Sequence, residues 1–539
     1  MRSFLFGCLI LLLLVACNST EQESRPGVED ALVPEYGDTF IEASIGDAST
    51  LLPVLSSDSA SSDISSLLYN GLVRYNKDLV VEGELAEFWE ISEDNLMITF
   101  HLRKNVAWHD GTPFTSADVK FNYELYIDPD TPTSYAESFR QVTGVETPDP
   151  YTFIVHYDKP YAPALMSWGM PVHPKHLLEG QDVTKSPLAR KPIGTGPFKL
   201  VEWQSGEKIV LESNPEYFEG QPYLKRIVYR IIPDQATQFL ELQTGSLDYM
   251  GLTPLQYDRQ TDTLAFRRLY NKYQYLSFGY TYLGYNLKRP LFQDKRVRQA
   301  LSFAINKQEL IDGVLLGYGS VATGPYKPDT WVYNPQVPKY DYNPEKARDL
   351  LAEAGWSDSN DDGILDKDGQ DFSFAIVTNQ GNDLRSKTGE IIQQRFKDVG
   401  VDIKLRSIEW ATFLKEFINP GNFDATILGW SGGPEPDQYN IWHSSKTGPR
   451  ELNFIGFKNA EVDQILEEGR RVFDQQQRKA YYDRFQQILA EEQPYTFLYI
   501  PKALPAVSKR FRGIEPAPAG IRYNFNQWFV PKAEQKYSR

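Results

Sequence analysis

The sequence predicts a mixed α/β fold divided into about two or three domains, and three observations predict it. The chain has 539 residues, enough to bury several apolar cores. Residues 96–102 alternate apolar and polar side chains with the two-residue period of a half-buried strand. Further along, strand-like stretches mix with helices whose start signals are clear, at Asn306 and Asn343.

The elements follow in order. Arg2 precedes an apolar run from Phe4 to Ala16, which is too short to cross a bilayer comfortably. The run ends in Leu14-Val15-Ala16-Cys17, which resembles a lipobox, so residues 1–16 read as a lipoprotein signal peptide and Cys17 as the lipid-bearing first residue of the mature chain. An ordinary signal peptide with a chance cysteine is the plainer alternative. Residues 17–35 are polar, acidic and without periodicity, and read as a flexible tether; order should begin near Tyr36.

In the first strand Leu96, Ile98, Phe100 and Leu102 take one face, and Met97, Thr99 and His101 the other. Asp110-Gly111 supplies a turn, and Thr115-Ser116 open a helix that carries Val119 and Tyr123. Asn306-Lys307-Gln308-Glu309 is a variant capping box, with Ile305 and Leu310 as its hydrophobic staple. Asn343 caps a second helix with Pro344 in its first position; Ala347, Leu350, Leu351 and Ala354 share a face, and Gly355 ends it. From Val462 to Leu489 the apolar spacing is again helical.

Composition excludes several classes. Asp and Glu number 72 against 56 Lys and Arg, a net charge of −16, which is the wrong sign for a nucleic-acid binder. The cysteines are Cys8 and Cys17, and Cys8 lies in the removed segment, so the exported core must hold without disulfides. The dipeptide Gly-Lys does not occur, which rules out a Walker A loop. Gly194-x-Gly196 runs into Pro197, which lacks the N–H that a phosphate loop would use. Tyr 32, Phe 30 and Trp 10 supply rigid amphipathic surface for cores and for a ligand cleft.

Three motifs carry possible chemistry. Asp358, Asn360 and Asp362 stand at positions 1, 3 and 5 of an acidic loop, Gly363 at 6, the carbonyl of Ile364 at 7 and Asp366 at 9, which matches a structural Ca²⁺ loop. Position 12 is Gly369, so a bidentate ligand would come from Asp368 or Asp371; a solvated acidic turn is the alternative. His173 and His176 have zinc-like spacing, but their Pro-rich frame offers no third ligand. Ser205-x-x-Lys208 and Lys446-Thr447-Gly448 echo acyl-serine enzymes of cell-wall peptides, yet no Ser-Asp-Asn element lies between them. No enzyme is expected, and no cofactor is required beyond the possible calcium.

The order of residues between 85 and 123 is more specific than any of these. Leu85-Ala86-Glu87-Phe88-Trp89, Leu96 to Lys104, Trp108-His109-Asp110-Gly111-Thr112-Pro113-Phe114 and Ala117-Asp118-Val119 together resemble the peptide-type, family 5, extracellular solute-binding proteins of ABC importers. Ile193 to Phe198, Asn214 to Phe218, Asp294 to Leu301, Gly429-Trp430 and Pro494-Tyr495 extend the resemblance from about Tyr36 to the C-terminus. It implies a bilobed, type II-like clamp with a small inserted domain. Lobe I would combine 36–75, 189–275 and 495–539, domain II would be 76–188, and lobe III 276–494, closing about hinges near 275 and 494.

The same resemblance implies a monomer held to the membrane by its lipid, with a peptide as ligand and permease and ATPase subunits as partners. Glu435, before Pro436, would hold a peptide's ammonium, with Asp437 beside it and Trp430 and Trp442 as pocket walls. Arg385 or Lys387 would hold the carboxylate. Relatives of this kind also carry oligosaccharides, opines, nickel chelates or haem, so the fold alone does not choose the solute.

Overall fold

The computed structural model describes residues 33–537. Two seven-stranded sheets and one four-stranded sheet form its frame. In lobe I the strand order is Tyr270–Lys272, Pro505–Ser508, Tyr249–Gly251, Gly37–Ser44, Leu224–Ile231, Lys208–Ser213 and Phe198–Gln204. Gly37–Ser44 runs parallel to Leu224–Ile231 and to Tyr249–Gly251. Lobe III orders Tyr275–Leu276, Tyr495–Ala503, Tyr280–Tyr285, Ala425–Trp430, Ser373–Asn379 and Asp402–Ile408, with Gly319–Val321 pairing beside Tyr495–Ala503. There Ser373–Asn379 is parallel to both Asp402–Ile408 and Ala425–Trp430.

Between the first and later strands of lobe I the chain builds an antiparallel sheet of its own, Ala86–Ile91, Met97–Leu102, Thr152–Tyr157 and Val142–Asp149. Ile98, Phe100 and Leu102 are buried and Met97 is exposed, as the alternation requires. Trp168 packs its ring 4.8 Å from Phe153 and 5.0 Å from Phe139, so large aromatics fill this core. Helix Ser116–Ile127 starts on a reciprocal Thr115–Asp118 capping box and buries Val119.

The other helix starts stand where the sequence puts them. Asn306 Oδ1 accepts the Glu309 N–H at 3.1 Å, and Ile305 and Leu310 are fully buried. Asn343 Oδ1 accepts from Lys346 N–H at 2.9 Å, and helix Pro344–Glu353 buries Ala347 and Leu351. The stretch 462–489 is two helices, Ala460–Gly469 and Gln475–Glu492. The break is local: Asp474 caps the second helix by accepting from Gln477 N–H at 2.8 Å.

Two boundaries shift. The resemblance implies an end of lobe III at 494, but Tyr495–Ala503 pairs with Tyr280–Tyr285 inside that lobe's sheet, and the return to lobe I falls at Leu504. The boundary at 75 also moves, because Val73–Tyr75 pairs with Val81–Gly83 in one hairpin that cannot be cut between domains. The chain therefore crosses between the two large sheets at 272–275 and at 503–505.

Candidate functional site

Parallel strands leave their carboxyl ends along one edge of a sheet, and in this molecule two such edges face each other. In lobe III they are the ends at Asn379, Ile408 and Trp430; in lobe I, those at Ser44 and Ile231. The loops just beyond them touch. Asp383 N–H donates to Gln235 Oε1 at 3.2 Å, and Trp410 Nε1–H to Asp58 Oδ1 at 3.4 Å. Gly381, at φ +82°, comes so near that a Cβ would lie 2.2 Å from the Pro233 carbonyl oxygen, so only glycine fits. The crevice at opposed strand ends is where an open α/β sheet offers a ligand site.

Arg385 stands in this crevice, in the first turn of helix Asp383–Lys397, which Asn382 caps. Its Nη1–H donates to Asn379 Oδ1 at 2.7 Å, and no carboxylate pairs with it among the described residues. Burial pushes its pKa down, against the pull of the Tyr499 and Tyr282 hydroxyls. The guanidinium comes close to the sheet at Gly429, where a Cβ would meet Arg385 Nη2 at 3.0 Å. The hydroxyls of Tyr280 and Tyr282, both buried, have no hydrogen-bond partner among the described residues. A cation without its anion, with the unsatisfied Tyr282 hydroxyl near it, suits an anionic ligand group.

The other expected ligand residues are placed differently. Lys387, two positions on, falls on the far side of the helix and is exposed. Glu435 is not free for an ammonium: Arg478 grips its carboxylate with two N–H groups, one at 3.1 Å, and Asp437 N–H adds a third at 3.1 Å. Burial raises the Glu435 pKa, and Arg478 opposes the rise. Asp437 is taken by Arg470, at 3.1, 3.1 and 2.8 Å. Trp442 is fully buried against Tyr495, 4.6 Å between rings, and is core rather than wall. Trp430 ends its strand half-buried, its indole N–H donating to the Tyr495 hydroxyl at 3.3 Å.

After Trp430 the backbone of Ser431, Gly432 and Gly433 is exposed. Beyond it opens a cavity of about 480 Å³, lined by Tyr75 and Leu79 on one side and by Phe278, Trp331, Pro434 and Arg478 on the other. Sequence reasoning missed Asn379 and Trp410, since neither residue type is distinctive until its strand end is placed.

The remaining motifs separate by their partners. His173 is buried between Asn122 Oδ1, 2.7 Å from Nδ1, and Val54 N–H; burial pushes its pKa down to about 3. His176 pairs instead with Asp110 at 2.8 Å. Lys208 pairs with Glu202 at 2.9 Å, and Ser205 accepts from Arg190, so these two make no nucleophile and base. In the acidic loop Asp358 accepts the N–H groups of Asp362 and Gly363 at 3.2 and 2.9 Å, Asp362 accepts from Ile364 at 2.8 Å, and Asp366 from Ser359 at 2.8 Å. Among the described residues no three His, Cys, Asp or Glu side chains already gather as a metal cage.

Known proteins share the sequence pattern and the fold. Residues 80–451 match the model of the bacterial extracellular solute-binding proteins, family 5 Middle. The chain is 35% identical over 536 residues to the oligopeptide-binding protein AppA of Bacillus subtilis, spanning 97% of each chain. The solved structure of that protein in complex with a nonapeptide matches with a TM-score of 0.88, covering 93% of this chain and 100% of that one. NikZ from Campylobacter jejuni, solved in complex with Ni(L-His), matches at 0.83 with 28% identity, over 92% and 100% of the two chains. Heme-binding protein A of Haemophilus influenzae is 29% identical, over 94% and 95%. With a crevice between opposed strand ends, a cation waiting in it and a family match over the greater part of its length, the chain belongs to family 5 of the bacterial extracellular solute-binding proteins, which bind solutes and are not enzymes.

Proposed function

We propose that this protein captures peptides in the crevice between lobes I and III and hands them to an ABC permease, whose ATPase subunits supply the energy. One observation carries the reading: Arg385, a guanidinium without a carboxylate, set where two lobes meet. A peptide's C-terminal carboxylate would complete it, and the exposed backbone of Ser431–Gly433 prolongs strand Ala425–Trp430 for main-chain pairing whatever the side chains. The likeness to a protein solved with a nonapeptide supports the same class. Calorimetry with a peptide and its C-terminal amide tests it, because only the free acid can form an ion pair with Arg385.

The structure gives the ammonium no counterpart at Glu435 or Asp437, since each already faces an arginine. A free amino terminus is therefore not needed there, and longer peptides can run on past the loop.

The lipid anchor rests on Cys17, which lies outside the described residues. Cys17→Ser should yield soluble, unacylated protein; lipid still present at the N-terminus would refute the anchor. The acidic loop 358–366 is proposed as a calcium site on its ligand spacing, with the ion drawing Asp358, Asn360, Asp362, the Ile364 carbonyl and Asp366 together.

A further inference from the structure

Arg470 of lobe III pairs with two carboxylates, and these lie on both sides of the molecule. On its own side it holds Asp437, seven residues past the strand end at Trp430, and stacks 4.0 Å over the Tyr439 ring. Across the gap its Nη1 donates to Glu137 Oε1 of domain II at 3.3 Å, and Tyr161 of the same domain lies 5.5 Å away. Lys446 Nζ approaches the other Glu137 oxygen at 3.6 Å and has its own partner, Glu451, also at 3.6 Å. Two main-chain contacts flank the cluster: Ala162 N–H donates to the Arg470 carbonyl, and the Ser134 hydroxyl to the Arg450 carbonyl, both at 2.6 Å. The three central charges are nearly enclosed, at 4, 7 and 6% exposure for Arg470, Glu137 and Lys446.

Lobe III is joined to the rest of the chain only at the two crossings, so this contact is not forced by local connectivity. We propose that Glu137 and Arg470 form a latch through which domain II helps close the clamp and positions the ligand loop. The chemistry suits a contact that must also open. An apolar face would favour closure whether or not a solute is present. A buried ion pair regains hydration for both charges when it parts, so its Coulomb gain is largely offset by desolvation and the balance stays near even. Solute in the crevice then decides. Both cations keep a partner in lobe III when Glu137 leaves, which lets the jaw part without stranding a charge. Arg470 joins this movement to the crevice, because the guanidinium that meets Glu137 also fixes Asp437 in the loop that follows Trp430.

Hydrogen exchange on the whole protein without added solute tests the latch residue by residue. Glu137→Gln should speed exchange of the Ala162 amide by about tenfold, the size of one lost charge-assisted hydrogen bond. It should also speed the Tyr439 amide, which donates to Asp437 Oδ1 at 3.2 Å. The Phe100 and Phe153 amides, in the core strands of domain II, should keep the wild-type rate. Unchanged exchange at Ala162 would overturn the latch, and faster exchange at Ala162 alone would overturn its coupling to the ligand loop. Acceleration at Phe100 and Phe153 as well would show a residue that merely stabilises domain II, which also overturns the proposal. Lys446→Met serves as the second variant: it removes the other lobe III cation facing Glu137, leaving Arg470 and, from domain II, Arg140 at 3.6 Å, and should act in the same direction at Ala162.

Discussion

Arg385 shows at the scale of one residue how a site can be read from what is missing. Its neighbour Asn379 satisfies one N–H, and the guanidinium otherwise waits in a partly enclosed crevice. A charge-assisted pair there is worth roughly 1.5–3 kcal/mol, so Arg385→Gln should weaken binding of a free-acid peptide by about ten- to a hundredfold. Amidating the peptide should cost the wild-type protein about as much and the variant little more; additive losses would mean that the two groups do not meet. Glu435 shows the opposite case. Its place before Pro436 drew attention in the sequence, but no pattern in sequence reveals that Arg478, 43 positions on, holds its carboxylate. A second residue gives a pH test. Glu84 is partly buried, its side chain 13% exposed, at the seam of lobe I and domain II, where Asn70 and Gly71 donate to it at 2.7 and 2.9 Å and Arg74 stands 3.8 Å away; desolvation still raises its pKa to about 7. The folded protein thus holds a proton there that the unfolded chain gives up near 4.5, so this contribution to stability is full below 4.5 and lost as the pH rises through about 7. Glu84→Gln should therefore gain in melting temperature relative to wild type between pH 5 and pH 8; parallel curves would contradict it.

Among the elements, those with their signals close together in sequence were legible. The two-residue period of 96–102 and the caps at Asn306 and Asn343 act within a few residues, and the strand and both helices form there. The join between Ala460–Gly469 and Gln475–Glu492 was not, because apolar spacing continues on both sides of a break made by one capping carboxylate, Asp474. The loop 358–366 lies between these cases. Its carboxylates already turn the backbone by accepting Asp362, Gly363 and Ile364 N–H groups, although no three of them gather without an ion. Calcium at a hundredfold excess over its dissociation constant should stabilise the native state by about 2.7 kcal/mol and raise the melting temperature. Asp362→Ala should remove that rise. An unchanged midpoint in wild type, with no calcium in undialysed protein, would leave a solvated turn.

For the whole molecule, the resemblance between 85 and 123 foretold the clamp, and the sheets show how it is hung: two crossings, at 272–275 and 503–505, join opposed strand edges. The place of the second crossing was hidden because Tyr495–Ala503 and Pro505–Ser508 read as nearly one run of strand residues, while their partners lie in different lobes. Which solute fills the crevice was equally beyond the sequence, since it depends on charges left unpaired only after folding. Mass spectrometry of the solutes released on denaturing protein purified from its own cells tests the central claim most directly. The expected release is a set of peptides of varied sequence that share a free C-terminal carboxylate. Haem, a nickel chelate or a sugar released in stoichiometric amount, with no peptide, would contradict it.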